Sequence, residues 1–135
     1  MLRQGSDLTL IATGGMLAMA IDVAKDLASS GLQARVLSMH TVKPLDVGAV
    51  LAAARETPAI VTIEEHSIMG GLGSAVAEVL AEADGPKPRF RRIGLPPGFQ
   101  SEAGSQEYLC RRSGLSPEQI VEEIRGLHSS LYRSA

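Results

Sequence analysis

Tryptophan is absent from these 135 residues, and aromatic side chains amount to two tyrosines and two phenylalanines. Single-strand nucleic-acid surfaces stack bases on aromatic rings, so this composition counts against such a platform. A strong charge of either sign is lacking too. The formal net charge is −2, which offers no general attraction to a phosphate backbone, so no nucleic-acid partner is expected. Cys110 is the only cysteine, which rules out an internal disulfide and a CxxC thiolate metal site. A reducing, cytoplasmic setting is the natural expectation. No apolar run approaches the roughly 18 residues a spanning helix needs, so no membrane partner is expected. The opening MLRQGSDLTL has neither the apolar stretch nor the cleavage site of a signal peptide.

What is present is an aliphatic chain, 44% hydrophobic and 21% charged, of a length that suits a single domain over residues 1–135. The chain alternates strand and helix patterns. Leu8 to Thr13 is a short, nearly continuous apolar run, as expected of a central strand covered on both faces. Gly14-Gly15 breaks it, and Met16 to Ser29 places Leu17, Ala20, Ile21, Ala24 and Leu27 at helical spacing before Gly31. Ala34 to Met39 reads as a second strand. Pro44 and Asp46 open a second helix, with Asp46 as its cap. Ala59 to Ile63 is a third strand, and a helix over about Gly71 to Glu82 follows with Ala75, Val76, Val79 and Leu80 inward.

Arg89 to Leu95 alternates like an edge strand, and Ser105 to Arg112 predicts a short helix. The last helix has Ser116 as cap, Pro117 at its first position and Gln119 to complete a capping box. Ile120, Ile124, Leu127 and Leu131 form its apolar stripe. Strands alternating with helices predict a parallel sheet with helices on both faces, a three-layer α/β/α sandwich.

Chemistry-bearing motifs are sparse. Gly14-Gly15 occupies the place where Rossmann-type folds hold a pyrophosphate, yet ATGGMLAMA lacks GxGxxG and no acidic residue ends the second strand. A tight packing turn outweighs a phosphate site there. Gly70, Gly71 and Gly73 form a second cluster without the lysine of a Walker A loop, so structure or interface outweighs an anion site. Glu64 and Glu65 point to opposite faces of a strand and cannot serve together as an acid/base pair. Glu65 with His66 lies at the carboxyl end of a strand, where α/β folds bind ligands, and is a candidate for proton transfer or hydrogen bonding. The competing role for that carboxylate is to cap the following helix or to pair with an arginine across an interface. His40 and His128 share no metal-ligand spacing with His66, and Cys110 has no local feature of a nucleophile. Arg89, Arg91 and Arg92 read as guards of a sheet edge.

The segments GSDLTLIATGGMLAMAIDVAKDL, ARVLSMHTVKPLD, AIVTIEEHSIMGGLGSAVAEVLAE and GLSPEQIVEEI, in that order, resemble the C-terminal domain of the transketolase family. MHTVKPLD and EEHSIMGGLGSAVAE are most similar to transketolases split into two subunits. The resemblance implies a five-strand, mostly parallel mixed sheet whose first strand, near Leu2 to Gln4, runs antiparallel. It also implies thiamine diphosphate and Mg in the complete enzyme, bound by pyrimidine-binding and diphosphate-binding domains or subunits that would be this chain's partners. No catalytic, cofactor-binding or metal residue transfers onto this chain, which is expected to be inactive alone. Glu65, His66, Gly70, Gly71 and Gly73 are then expected at an interface, with assembly of a homo-oligomer and regulation as the domain's work. Met1 directly before LRQGSD suggests a cut in a longer chain. The alternatives are a stand-alone module binding a small anion or regulatory partner, and a fragment of a deoxyxylulose-phosphate synthase or a 2-oxo-acid dehydrogenase β-chain.

Overall fold

The computed structural model describes residues 1–99 and 101–132, without the side chains of residues 128 and 130–132. Among the described residues, four strands and five helices follow one another as β1 (Leu8–Ala12), α1 (Met16–Ser29), β2 (Ala34–Ser38), α2 (Val47–Glu56), β3 (Ala59–Ser67), α3 (Leu72–Glu82), β4 (Arg89–Leu95), α4 (Gln106–Arg112) and α5 (Pro117–Tyr132). All three strand pairings are parallel, and the sheet order is β2-β1-β3-β4. The order turns back between β1 and β3, so their carboxyl ends flank the switch point of the sheet. Doubly wound folds bind ligands in the crevice outside such a point.

The apolar pattern of each element explains its place. β1 is buried along its whole length, as its LTLIA run predicts for a strand covered on both faces. On one face Leu8, Leu10, Val61 and Ile63 pack with Ala20, Val23, Ala24 and Leu27 of α1 and with Ile120 and Ile124 of α5. On the other, Ile11 and Ile60 pack with Val50 and Ala53 of α2 and with Leu72, Val76 and Leu80 of α3. Two apolar layers on one sheet make the three-layer sandwich. Leu127 packs against the first layer, while the Leu131 and His128 side chains lie outside those described.

The capping signals are realised. The Asp46 carboxylate accepts from the Ala49 N–H at 2.9 Å. Both halves of the Ser116–Gln119 box form, the Gln119 N–H donating to Ser116 Oγ and the Ser116 N–H to Gln119 Oε1.

Two expectations need correction. The sheet has four strands, not five. The N-terminal residues do run antiparallel beside β2, where the Leu2 N–H donates to the Val36 carbonyl and the Val36 N–H to that of Arg3. That single bridge is too short to make a strand. The second correction concerns β3, which continues past Ile63 to Ser67. Ser67 pairs with Leu95 after a register shift, so the polar Glu64–His66 run is an irregular stretch of the strand held to β4 at Ile63 and at Ser67.

Ile60 is fully buried in the α2/α3 layer. Ile60→Ala should therefore cost about 2–5 kcal/mol through lost burial and the cavity left behind. Urea unfolding checks this, and a cost below about 1 kcal/mol would contradict the layer assignment.

Candidate functional site

Both glycine clusters lie at the switch point, one after β1 and one after β3. Thr62 and Glu64 follow Ile60 at two-residue spacing on the α3 face, and Val61, Ile63 and Glu65 take the α1 face. This alternation gives the neighbouring carboxylates different work.

Glu64 has no solvent exposure. Its Oε2 accepts from the Leu72 N–H at 2.7 Å and its Oε1 from the Gly73 N–H at 2.8 Å. The carboxylate thus takes two of the N–H groups that a helix start leaves without intrahelical partners, at the positive end of the helix dipole. The approach is too close for ordinary side chains. A Cβ on Gly71 would stand 2.0 Å from Glu64 Oε2, and one on Gly73 would stand 2.7 Å from both Thr62 Oγ1 and Arg92 Cγ. The loop above is tied down as well. The Gly70 N–H donates to Ser74 Oγ, Ser74 Oγ donates to the Ile68 carbonyl, and Arg92 Nη1 reaches that same carbonyl at 2.8 Å.

Glu65 turns the other way. It is half-buried and accepts from Gln106 Nε2 of α4 at 2.6 Å. Burial first, and then the negative charge of Glu65, push Cys110 above the ordinary thiol range. Such a thiol stays protonated, which is poor for a nucleophile. His66 is exposed. At the far side of α4, Arg112 holds Glu102 below the usual carboxylate range through a hydrogen bond and through its charge.

The structure therefore brings Glu65 together with Gln106 and Cys110, and separates it from Gly71 and Gly73, which belong with Glu64. The sequence reading set a carboxylate cap on α3 beside a functional Glu65; the cap is Glu64. The signal for it was the two-residue step Ile60, Thr62, Glu64, which aims the third side chain under the helix start. Gln106 and Arg92 carried no sequence signal, because the Glu65 carboxylate and the Ile68 carbonyl they reach lie 41 and 24 residues away.

The residues present do not fit a diphosphate cofactor. At the α3 start the Leu72 and Gly73 donors already serve Glu64. At the α1 start the Met16 and Leu17 N–H groups turn back to the Thr13 and Gly14 carbonyls. Among the described residues, no group of three or more His, Cys, Asp and Glu side chains comes together to hold a metal ion. No described helix is long and apolar enough to cross a membrane.

These features define a doubly wound α/β domain whose glycine-rich junction is filled by its own carboxylate. The chain belongs to the transketolase family as a C-terminal domain: the family described as "Transketolase, C-terminal domain" matches residues 1–120. It is 48% identical over 121 residues to the 6-deoxy-6-sulfo-D-fructose transketolase subunit SqwH of Clostridium sp. (strain MSTE9), covering 90% of this chain and 37% of that protein. It is 41% identical over 127 residues to a 1-deoxy-D-xylulose-5-phosphate synthase of Heliobacterium modesticaldum, covering 94% of this chain and 19% of that one. A split-gene transketolase solved as an inactive β4 tetramer superposes with a TM-score of 0.85 at 38% identity, covering 95% of this chain and 41% of that one. The chain thus spans well under half the length of these relatives. The resemblance drawn from the sequence is confirmed at the level of family and fold.

Gly71→Val should destabilise the chain by about 1–3 kcal/mol or more, because the new side chain collides with the Glu64 carboxylate it would have to displace. An unchanged melting temperature would contradict this packing.

Proposed function

We propose that this chain is the C-terminal domain or subunit fragment of a thiamine-diphosphate-dependent, transketolase-like enzyme, and that it serves assembly rather than chemistry. The reaction is transfer of a two-carbon ketol unit between sugar phosphates or, as the name of the 48%-identical subunit suggests, a sulfonated sugar. The observation that carries this reading is the match of one family over residues 1–120, in a chain whose Leu72 and Gly73 donors at the α3 start already serve Glu64.

On this reading thiamine diphosphate and Mg are held by pyrimidine-binding and diphosphate-binding domains or subunits, and this domain packs against them. The contact surface is the carboxyl edge of the sheet, where His66, Gly70 and Met69 are exposed, Met69 to 66%. Gly71 and Gly73 act from beneath, by fixing the loop that carries them. Self-association is supported by the β4 tetramer of the split-gene relative. A reducing cytoplasmic setting fits the single buried cysteine. The 41% identity to 1-deoxy-D-xylulose-5-phosphate synthases favours a second reading in which the product differs and the architecture stays the same.

An assay with thiamine diphosphate and Mg separates these readings. It follows ketol transfer from phosphorylated and 6-sulfo ketoses, and formation of 1-deoxy-D-xylulose 5-phosphate, with this chain alone and with the cofactor-binding region supplied. Ketol transfer only in the mixture is expected. Activity of the chain alone would overturn the assignment of the cofactor site, and deoxyxylulose phosphate as the only product would establish the second reading.

A further inference from the structure

Helix α4 is an unusual part of this fold. It has seven residues, too few for an isolated helix to be stable in water, and only Cys110 among its side chains is buried. Two carboxylates from outside hold it instead. Tyr108 and Arg112, one helical turn apart, both bind Glu102, with Tyr108 Oη at 3.2 Å and the Arg112 guanidinium at 3.1 and 2.6 Å. Glu102 lies just upstream, so this grip would travel with the helix. Gln106, in the first turn of α4, donates to Glu65, which belongs to β3. Glu65 is therefore the polar tie between α4 and the sheet.

The position of α4 gives that tie its consequence. Gln106 Nε2 stands 3.9 Å from where a Cβ on Gly15 would be, so α4 lies across the switch point at the β1–α1 turn. Beside it runs a groove of about 360 Å³ whose apolar lining includes Met16, Met19, Cys110 and Leu115. The chain leaves α4 through Gly114 at φ +80, a conformation that permits a sharp turn at the helix end.

We propose that α4 is a strap over the switch-point crevice, latched by the hydrogen bond from Gln106 to the Glu65 carboxylate, that opens locally while the sheet stays folded. Opening would bare the groove at the point where doubly wound sheets take their ligands, and would make this part of the sheet edge adjustable. The inference does not rest on the transketolase reading. It concerns only contacts within this chain.

The single cysteine makes the test direct. In the native chain, the free energy of opening read from labelling of Cys110 with a disulfide thiol reagent, each rate taken against that of the unfolded chain, should lie well below that read from deuterium exchange of strand amides such as those of Leu10 and Val61. Gln106→Glu sets a second carboxylate against Glu65 at an exposed position and leaves the core intact. It should speed labelling of Cys110, and amide exchange at Leu109 and Cys110, by about tenfold or more, with Leu10 and Val61 unchanged. The added negative charge would by itself hold the thiol protonated and slow labelling, so acceleration can only come from opening. Glu65→Ala should raise the same local amide exchange. Unchanged labelling and exchange in both variants would overturn the proposal. So would equal acceleration of the strand amides, which would make the opening global unfolding.

Discussion

The Glu64 carboxylate on the first turn of α3 is the constraint from which the rest of the switch-point architecture follows. Burying an unpaired carboxylate costs several kcal/mol. Here both oxygens accept backbone N–H bonds at a helix start, where charge-assisted bonding and the helix dipole offset that cost. The bonds are short enough to pull the helix onto the end of β3, and only glycine at positions 71 and 73 leaves room. With the helix drawn in, the connection must pass outside it, and Met69 and Gly70 are left exposed at the sheet edge. One buried charge thus sets the helix position, the glycine requirement and the shape of the surface above.

This arrangement gives the two adjacent glutamates opposite roles through the pleat of the strand. Glu64 goes down to its own helix and fixes the α2/α3 layer. Glu65 goes to the other face and ties α4 to the sheet. The polar cluster that looked like a site in one dimension is two structural ties in three, and His66 is the member left open to solvent. An edge built this way presents backbone, methionine and histidine to a neighbour while its ionised groups are engaged internally, a composition suited to contact.

Much of the fold was legible because its signals are local. The LTLIA run, the helical spacing over Met16–Ser29, the Asp46 cap and the Ser116–Gln119 box act within a few residues, and each took the expected form. The extension of β3 to Ser67 was hidden, since it depends on a ladder with β4 that periodicity in Glu64–His66 does not encode. The N-terminal strand stopped at one bridge for a similar reason, with Leu2 and Arg3 alone reaching Val36. The site was legible in composition and illegible in pairing. Which glutamate reaches Gly73 and which reaches Gln106, 41 residues away, depends on packing across the sheet.

The glycine-rich junction is already filled by Glu64. The most direct test is a nitrogen–proton correlation spectrum of the labelled chain, titrated with inorganic pyrophosphate and watched at the amides of Leu72 and Gly73. Both resonances should stay in place to millimolar ligand, because their protons are held by the Glu64 carboxylate. A saturable shift confined to those two amides would contradict it, and would restore the junction as an anion site.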